Sequence, residues 1–283
     1  MRTRNIYLLM LLALVALAGC KSGNSSEQTK PLATDSLAYE SDSDTTLTSK
    51  IVVDYPTGQD SFALAVTNYV SNELANNYLP VLLGDDNEKN FPNYKGDITR
   101  GQAIVDFYGK ANLAYIKVQA DELRKYTEDE NTPMSCDIAI RKTYDCPSYV
   151  NYTTSTYTFL GGAHGSATNY TVSILKSSGK VLTQTADTLQ LEAMQPLLRK
   201  GVLEYLHKNG EVDVTDDNLN DVLFVEKGII PLPAHAPFLT KNGLCFIYQQ
   251  YEIGPYAMGM VTFTIPYEQA KPYMTTEAQE LVK

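Results

Sequence analysis

The chain has 283 residues, with 33 acidic against 23 basic side chains, a formal charge of −10 at pH 7, 20 tyrosines, 8 phenylalanines and no tryptophan. A net negative surface repels phosphate, so nucleic acid is not an expected partner. Tyrosine in this abundance suits a sheet with one wet face or a binding surface, and composition does not separate the two.

The first twenty residues read as an export leader. Arg2 and Arg4 precede an apolar run from Ile6 to Ala18, which closes on Leu17, Ala18, Gly19 and Cys20. Basic residues stay on the cytoplasmic side, a short apolar segment enters the translocon, and small residues fit a signal peptidase ahead of a cysteine whose thiol accepts diacylglycerol. An apolar run of about 13 residues reaches only about 20 Å as a helix, short of a roughly 30 Å hydrocarbon core, so a spanning anchor is the poorer reading. Residues 1–19 are therefore expected to be a lipoprotein signal peptide and Cys20 the site of lipidation, with palmitate among the acyl chains. The membrane is then a partner through the N-terminal lipid. The expected location is the cell envelope, at the outer membrane, with periplasmic and surface-facing orientations both open. Residues 20–48 are rich in Ser, Asp, Thr, Asn and Glu, without a sustained apolar period, and read as a disordered stalk.

About 230 residues remain, enough for one large domain or two small ones sharing a core. Ile51 to Tyr55 is a β-branched strand stopping at Pro56. A helix follows, with Phe62, Val66, Tyr69, Val70 and Leu74 on one face and Asp60 as its cap. Thr99 and Gln102 form a capping-box pattern ahead of a second helix carrying Ile104, Phe107, Tyr108, Ala111, Tyr115 and Val118. Cys136 to Thr143 and Tyr149 to Leu160 read as a hairpin turning at Pro147, and Tyr170 to Lys176 as another strand. A third helix, about Met194 to Lys208, tolerates Pro196 only in its first turn and stops at Asn209 and Gly210. An Asn242–Gly243 hairpin, strands Leu244 to Tyr251 and Met260 to Ile265, and a short helix from Tyr267 to Met274 close the chain. Helices and antiparallel strands in runs, without strand–helix–strand alternation, indicate an α+β fold: antiparallel sheets with three main helices packed on them. The expected division is an N-terminal α+β part, residues 49–160, and a C-terminal part, residues 161–283.

With Cys20 lipidated, three cysteines are left. Cys136 and Cys146 are candidates for pairing across a short loop, with Cys245 a buried thiol; two simply buried cysteines are the alternative. His164, His207 and His235 are isolated from any metal-ligand spacing. No metal site, P-loop, dinucleotide fingerprint or nucleophile elbow is present, and no cofactor is expected.

Two short runs carry more information. One is Tyr157 to Gly165, with Gly161, Gly162, Ala163, His164 and Gly165 at its end; the other is Tyr251, Glu252, Ile253, Gly254, Pro255, Tyr256, Ala257, Met258, Gly259. In this order, and with a helix and an Asn-Gly hairpin between them, they resemble the two signature stretches of an exported domain-of-unknown-function family. That family includes the extracellular, lysozyme-sensing part of the RsiV-type anti-sigma factors and also accompanies some cell-wall deacetylases. The resemblance extends over about residues 50 to 275 and implies an α+β ectodomain, like that of RsiV, and an envelope location. This chain lacks the cytoplasmic sigma-binding domain, the transmembrane helix and the deacetylase domain of those relatives, so signalling by proteolysis and deacetylation are not implied.

Gly161, Gly162, His164 and Gly165 are the candidate partner or ligand loop, against the plainer reading of a structural turn. Tyr251, Glu252, Pro255, Tyr256 and Gly259 are the second candidate set. Glu252 has two readings: a carboxylate poised for acid–base work, or an acceptor of backbone N–H groups at a strand end. Glycoside hydrolysis needs a pair of carboxylates, and sequence ties no second one to Glu252. The expected function is a lipid-anchored, non-catalytic binding module whose partner is a lysozyme-like protein or a peptidoglycan fragment. A cell-wall hydrolase using Glu252 and a structural envelope lipoprotein are the alternatives.

Overall fold

A computed structural model describes residues 30–41, 46–84, 91–127 and 132–282. The expected signal peptide and Cys20 lie outside the described residues. Among the described residues, no helix is long and apolar enough to cross a membrane.

Five strands form the larger sheet in chain order: β1 (Thr34–Glu40), β2 (Leu47–Pro56), β3 (Met134–Asp145), β4 (Tyr149–Phe159) and β5 (Ser166–Leu175). All neighbours are antiparallel except β2 and β3, which pair in parallel from Leu47 opposite Met134 to Val53 opposite Ile140. A parallel pair needs a long crossover. Here it is supplied by α1 (Ser61–Asn77), α2 (Leu79–Leu82) and α3 (Gly101–Leu123). The expectation of antiparallel runs without such a crossover is corrected by this pairing, while the mixed α and β architecture and its antiparallel majority stand.

Alternation in β2 buries Leu47, Ser49, Ile51, Val53 and Tyr55 toward the helices, where Val66, Val70, Leu74, Ile104, Val105, Tyr108 and Ile116 complete one core. Asp60 caps α1, its carboxylate accepting from the backbone N–H of Phe62 and Ala63 at 3.0 and 2.9 Å. The expected capping box on α3 does not form. Thr99 instead donates its hydroxyl to Asp97 at 2.7 Å, and Gln102 reaches the carbonyl of Ala38 on β1 at 2.9 Å. Glycine inside a helix is unfavourable by roughly 1 kcal/mol, yet α3 carries Gly109 because a Cβ there would lie 2.1 Å from the Tyr39 ring. The helix thus sits almost in contact with β1.

That contact explains why the chain is ordered where composition suggests a stalk. β1 pairs with β2 over seven residues, and Leu32 ahead of it is only 5 % exposed. Charged side chains secure this segment. The Asp145 carboxylate accepts from the Leu32 N–H at 2.7 Å, and Lys142 donates to the Leu32 carbonyl at 2.5 Å. Buried Lys176 bridges the Lys30 carbonyl at 2.8 Å and Asp145 at 2.5 Å. The stalk expected over residues 20–48 is therefore corrected over residues 30–41 and 46–48, while residues 20–29 and 42–45 lie outside the described residues.

The second layer contains α4 (Leu191–Lys208), α5 (Leu219–Val222), a sheet of β6 (Phe238–Leu239), β7 (Gly243–Ile247) and β8 (Thr262–Pro266), then α6 (Tyr267–Ala270) and α7 (Thr276–Leu281). Leu198, Val202 and Leu206 of α4 pack with Phe246, Tyr248, Phe263 and Ile265 into a second core. Gly201 lets α4 close on β8: a Cβ there would sit 2.2 Å from the Phe263 ring. Pro196 stands in the second turn rather than the first. The strand expected to run to Tyr251 stops at Ile247.

Tyr149 and Leu175 of the large sheet belong to this second core, and Asn151 donates to the Leu239 carbonyl at 2.7 Å. The expected division at residues 160 and 161 falls inside the β4–β5 hairpin, which pairs through Thr158 opposite Ser166. The two cores meet across β4 and β5, and the chain passes from one to the other after β5.

Cys136 and Cys146 are both free, so of the two readings the sequence left open the pairing is not the one seen. Cys136 lies near the start of β3 and Cys146 just past its end; ten residues apart at about 3.3 Å per residue, they are about 33 Å apart, far beyond the roughly 7 Å limit between bridged Cα atoms.

Candidate functional site

The β4–β5 turn and the loop after β7 come together at one end of the large sheet. Gly161 and Gly162 have φ of +87° and +100°, left-handed values that glycine adopts without a Cβ penalty. Gly165 serves a different need: its φ is not in that region, but a Cβ there would strike the Tyr157 ring at 2.6 Å. This turn projects His164. The imidazole stacks on Tyr256, centroids 3.9 Å apart and planes 23° from parallel, and its Nδ1 lies 2.9 Å from the Gly165 carbonyl. The Tyr256 hydroxyl donates to the same carbonyl at 3.0 Å. With Nδ1 protonated, Nε2 is free to accept from the Tyr251 hydroxyl 3.4 Å away, so one tautomer satisfies all the geometry.

Tyr251 is unusual in its backbone. It has φ of +67°, a left-handed conformation that costs an ordinary residue about 1–2 kcal/mol. The residue is 57 % exposed, so burial does not offset the strain. Strain of this kind persists only where the surroundings impose it. Glu252 is what imposes it: one carboxylate oxygen accepts from the Gln249 N–H at 2.7 Å and the other from the Ala234 N–H at 2.6 Å. The first bond closes the turn around Tyr251; the second ties that turn to the 231–237 segment. Of the two roles read for Glu252, acceptor of backbone N–H groups is the one this geometry fits, since both oxygens are occupied.

The rest of the second run is a scaffold. Pro255 accepts at its carbonyl from Met258 N–H at 2.9 Å, giving a tight turn over Tyr256–Met258. Gly259 has φ of +74°, and Tyr205 of α4 donates to the Met258 carbonyl at 3.0 Å. Gly254 leaves room for the Met258 sulfur.

Three further features were not visible in the sequence. Gln249 clasps the backbone of Asn169 on β5, accepting from its N–H at 2.9 Å and donating to its carbonyl at 2.8 Å. A glutamine in a polar run carries no signal that it will act as a strand partner. His235 lies flat on Tyr170, centroids 4.0 Å apart and planes 4° from parallel; Tyr170 in turn donates to Glu73 of α1 at 2.6 Å. Burial holds the His235 pKa below its ordinary value, with Glu252 and Glu73 acting in the opposite sense. Phe224 donates its N–H to the Ile253 carbonyl at 2.9 Å and is 63 % exposed.

His164, Tyr251 and Tyr256 thus form one cluster of ring contacts beside Gly165, which Tyr157 also packs against, with Tyr157 and Tyr251 open to solvent. Tyrosine rings offer flat apolar faces and polar tips, a pairing that suits the faces of sugar rings or a cationic side chain. A cleft of about 420 Å³ lies elsewhere, where the N-terminal segment meets α1 and the turn after β5, and none of the candidate residues lines it. Among the described residues, no group of three or more His, Cys, Asp or Glu is placed to hold a metal ion.

Residues 186–268 match the profile of a domain family described as a protein of unknown function, DUF3298. The matched stretch runs from just before α4 to the start of α6 and includes the second run but not the first. Two solved structures share the fold. One is a member of that family from Bacteroides fragilis NCTC 9343, with a TM-score of 0.58 and 19 % identity, covering 87 % of this chain and 94 % of the other. The other is a family protein from Pseudomonas aeruginosa PAO1, with a TM-score of 0.56 and 16 % identity, covering 89 % of this chain and 98 % of the other. No curated protein matches the sequence.

Proposed function

We propose that this chain is a lipid-anchored, non-catalytic binding module of the bacterial envelope, held by lipid on Cys20, whose contact face is the surface formed by Tyr157, His164, Tyr251 and Tyr256. The observation that carries this reading is Tyr251: an exposed aromatic kept in a strained backbone conformation by Glu252. A residue that contributes little to folding at such a cost is better accounted for by what it touches outside the molecule. The occupied oxygens of Glu252 favour binding over acid–base chemistry.

The partner is a lysozyme-like protein or a cell-wall glycan fragment. Two lines support it: the resemblance of both runs to the lysozyme-sensing ectodomains, and a net charge of −10, which favours encounter with a cationic protein. The test is titration of the chain from residue 21 onward with a panel of lysozymes and muropeptides over a salt series. Saturable binding to a lysozyme that weakens with salt supports a lysozyme partner, binding to muropeptides alone supports a glycan partner, and no binding to either removes both.

A further inference from the structure

The two ends of the large sheet carry different equipment. One end holds the His164 turn and the loop containing Tyr251 and Tyr256. The other holds the start of β1, Pro56 at the end of β2, Asp145 at the end of β3, and Tyr149 opposite Leu175. β4 connects them with 11 residues, so the ends stand roughly 35 Å apart at about 3.3 Å per residue.

The far end also holds the clamp. Asp145, Lys142 and Lys176, from the end of β3 and just past β5, hold the Leu32 N–H, the Leu32 carbonyl and the Lys30 carbonyl. The Lys176 side chain is only 2 % exposed and pairs with Asp145. Placing an ammonium there costs desolvation that one ion pair does not fully repay, and what the arrangement achieves is to fix three backbone groups at the point where the chain joins the body. Leu32 beside them is buried in the first core.

We propose that this clamp is the foot of the molecule, setting where the body leaves its lipid anchor and turning the His164–Tyr251–Tyr256 face away from the membrane. The inference rests on the lipid-anchor reading above and adds an orientation to it. Ten Cα steps separate Cys20 from Lys30, a reach of at most about 36 Å. Had the chain first joined the body at residue 48, the reach would be about 100 Å and either end of the sheet could approach the lipid equally. With the clamp in place, the aromatic face lies on average farther out than the foot, by up to a sheet length. The partner that fits a face so held is a soluble macromolecule or polymer arriving from the far side, not a lipid headgroup of the anchoring leaflet.

The test uses the full chain, processed in a bacterial host and reconstituted in phosphatidylethanolamine–phosphatidylglycerol vesicles carrying a headgroup acceptor dye. Donor dyes are placed singly at Ser178→Cys, beside the foot, and Ala163→Cys, in the His164 turn, both in a Cys146→Ser background. Energy transfer several-fold stronger from position 178 than from position 163 is the expected result. Equal transfer from both, or stronger transfer from 163, overturns the orientation. The mass of the N-terminal peptide from the same sample separates the two layers of the argument. Absence of lipid on Cys20 overturns the anchor and this inference together, whereas a lipidated chain with equal transfer overturns the orientation alone.

Discussion

The imidazole of His164 lies flat against the phenol of Tyr256, ring centroids 3.9 Å apart, and both groups converge on one backbone atom, the Gly165 carbonyl. Neither residue would hold this position alone. His164 is carried on a glycine turn that fixes no side chain by packing, and Tyr256 sits on a loop of one tight turn. The contact therefore joins the two runs that resemble signature stretches into one surface.

Replacing Tyr251 separates stability from binding. Glycine relieves the left-handed backbone but has more freedom to lose on folding, and the two effects, each about 1 kcal/mol, nearly cancel. Tyr251→Gly is expected to unfold in urea within about 1 kcal/mol of the parent, yet to lose partner binding at least tenfold. Tyr251→Val keeps the strain, adds β-branching and is expected to unfold earlier than either.

Glu252 is expected to matter for folding. Hydrogen bonds to a charged group contribute about 1.5–3 kcal/mol each, and Glu252 accepts two from backbone N–H groups. Glu252→Ala is expected to lower the unfolding free energy by about 3 kcal/mol or more, and Glu252→Gln, which keeps one acceptor, by less. Urea unfolding of the pair measures this. Equal stability of all three proteins would remove the turn-fixing role assigned to this side chain.

Much of this layout can be read from the residue pattern, and the exceptions have physical causes. The apolar periods of α1, α3 and α4 and the alternation in β2 bury one face each, so local pattern and core agree. β1 fails that test because it is an edge strand whose sequence, TDSLAYE, leaves most positions open to solvent; its order comes from distant partners, Tyr39 against Gly109 and Leu32 against Asp145. The parallel β2–β3 pair is equally nonlocal, since a helical crossover lies between the strands. Both runs of the candidate site were visible, but their meeting was not: Tyr251 was expected in a strand, whereas Glu252 bends it into a turn. Gln249 offered no pattern at all.

The cysteines are a direct check on the fold. Cys136 is buried in the first core, and burial pushes its thiol up to about 12; burial likewise raises Cys245. Thiolates are the reactive species. In the chain from residue 21 onward, a thiol reagent is expected to modify half-buried Cys146 in the native state, and Cys136 and Cys245 only as the protein unfolds. A Cys136–Cys146 bridge in peptides from non-reduced protein would contradict the strand register.

His235 gives stability a pH dependence of known sign. Its folded pKa lies below the ordinary value of 6.5 through burial against Tyr170, with Glu252 and Glu73 opposing. The unfolded chain then takes up the proton more readily, so stability is complete above pH 6.5 and declines as the pH falls below it. His235 as a whole is exposed, which keeps the effect small. His235→Phe, which retains a ring to stack, is expected to flatten the thermal midpoint between neutral and mildly acidic pH relative to the parent; an identical profile would remove His235 as the source.

The most direct test of the binding account is calorimetric titration of the chain from residue 21 onward, as the parent and as Tyr251→Gly and Tyr256→Ala, with the lysozyme and muropeptide panel. The account predicts saturable binding by the parent and at least a tenfold loss in both variants, with circular dichroism unchanged. Binding that both variants retain at parental strength would place the partner elsewhere on the molecule and contradict the assignment of this aromatic face.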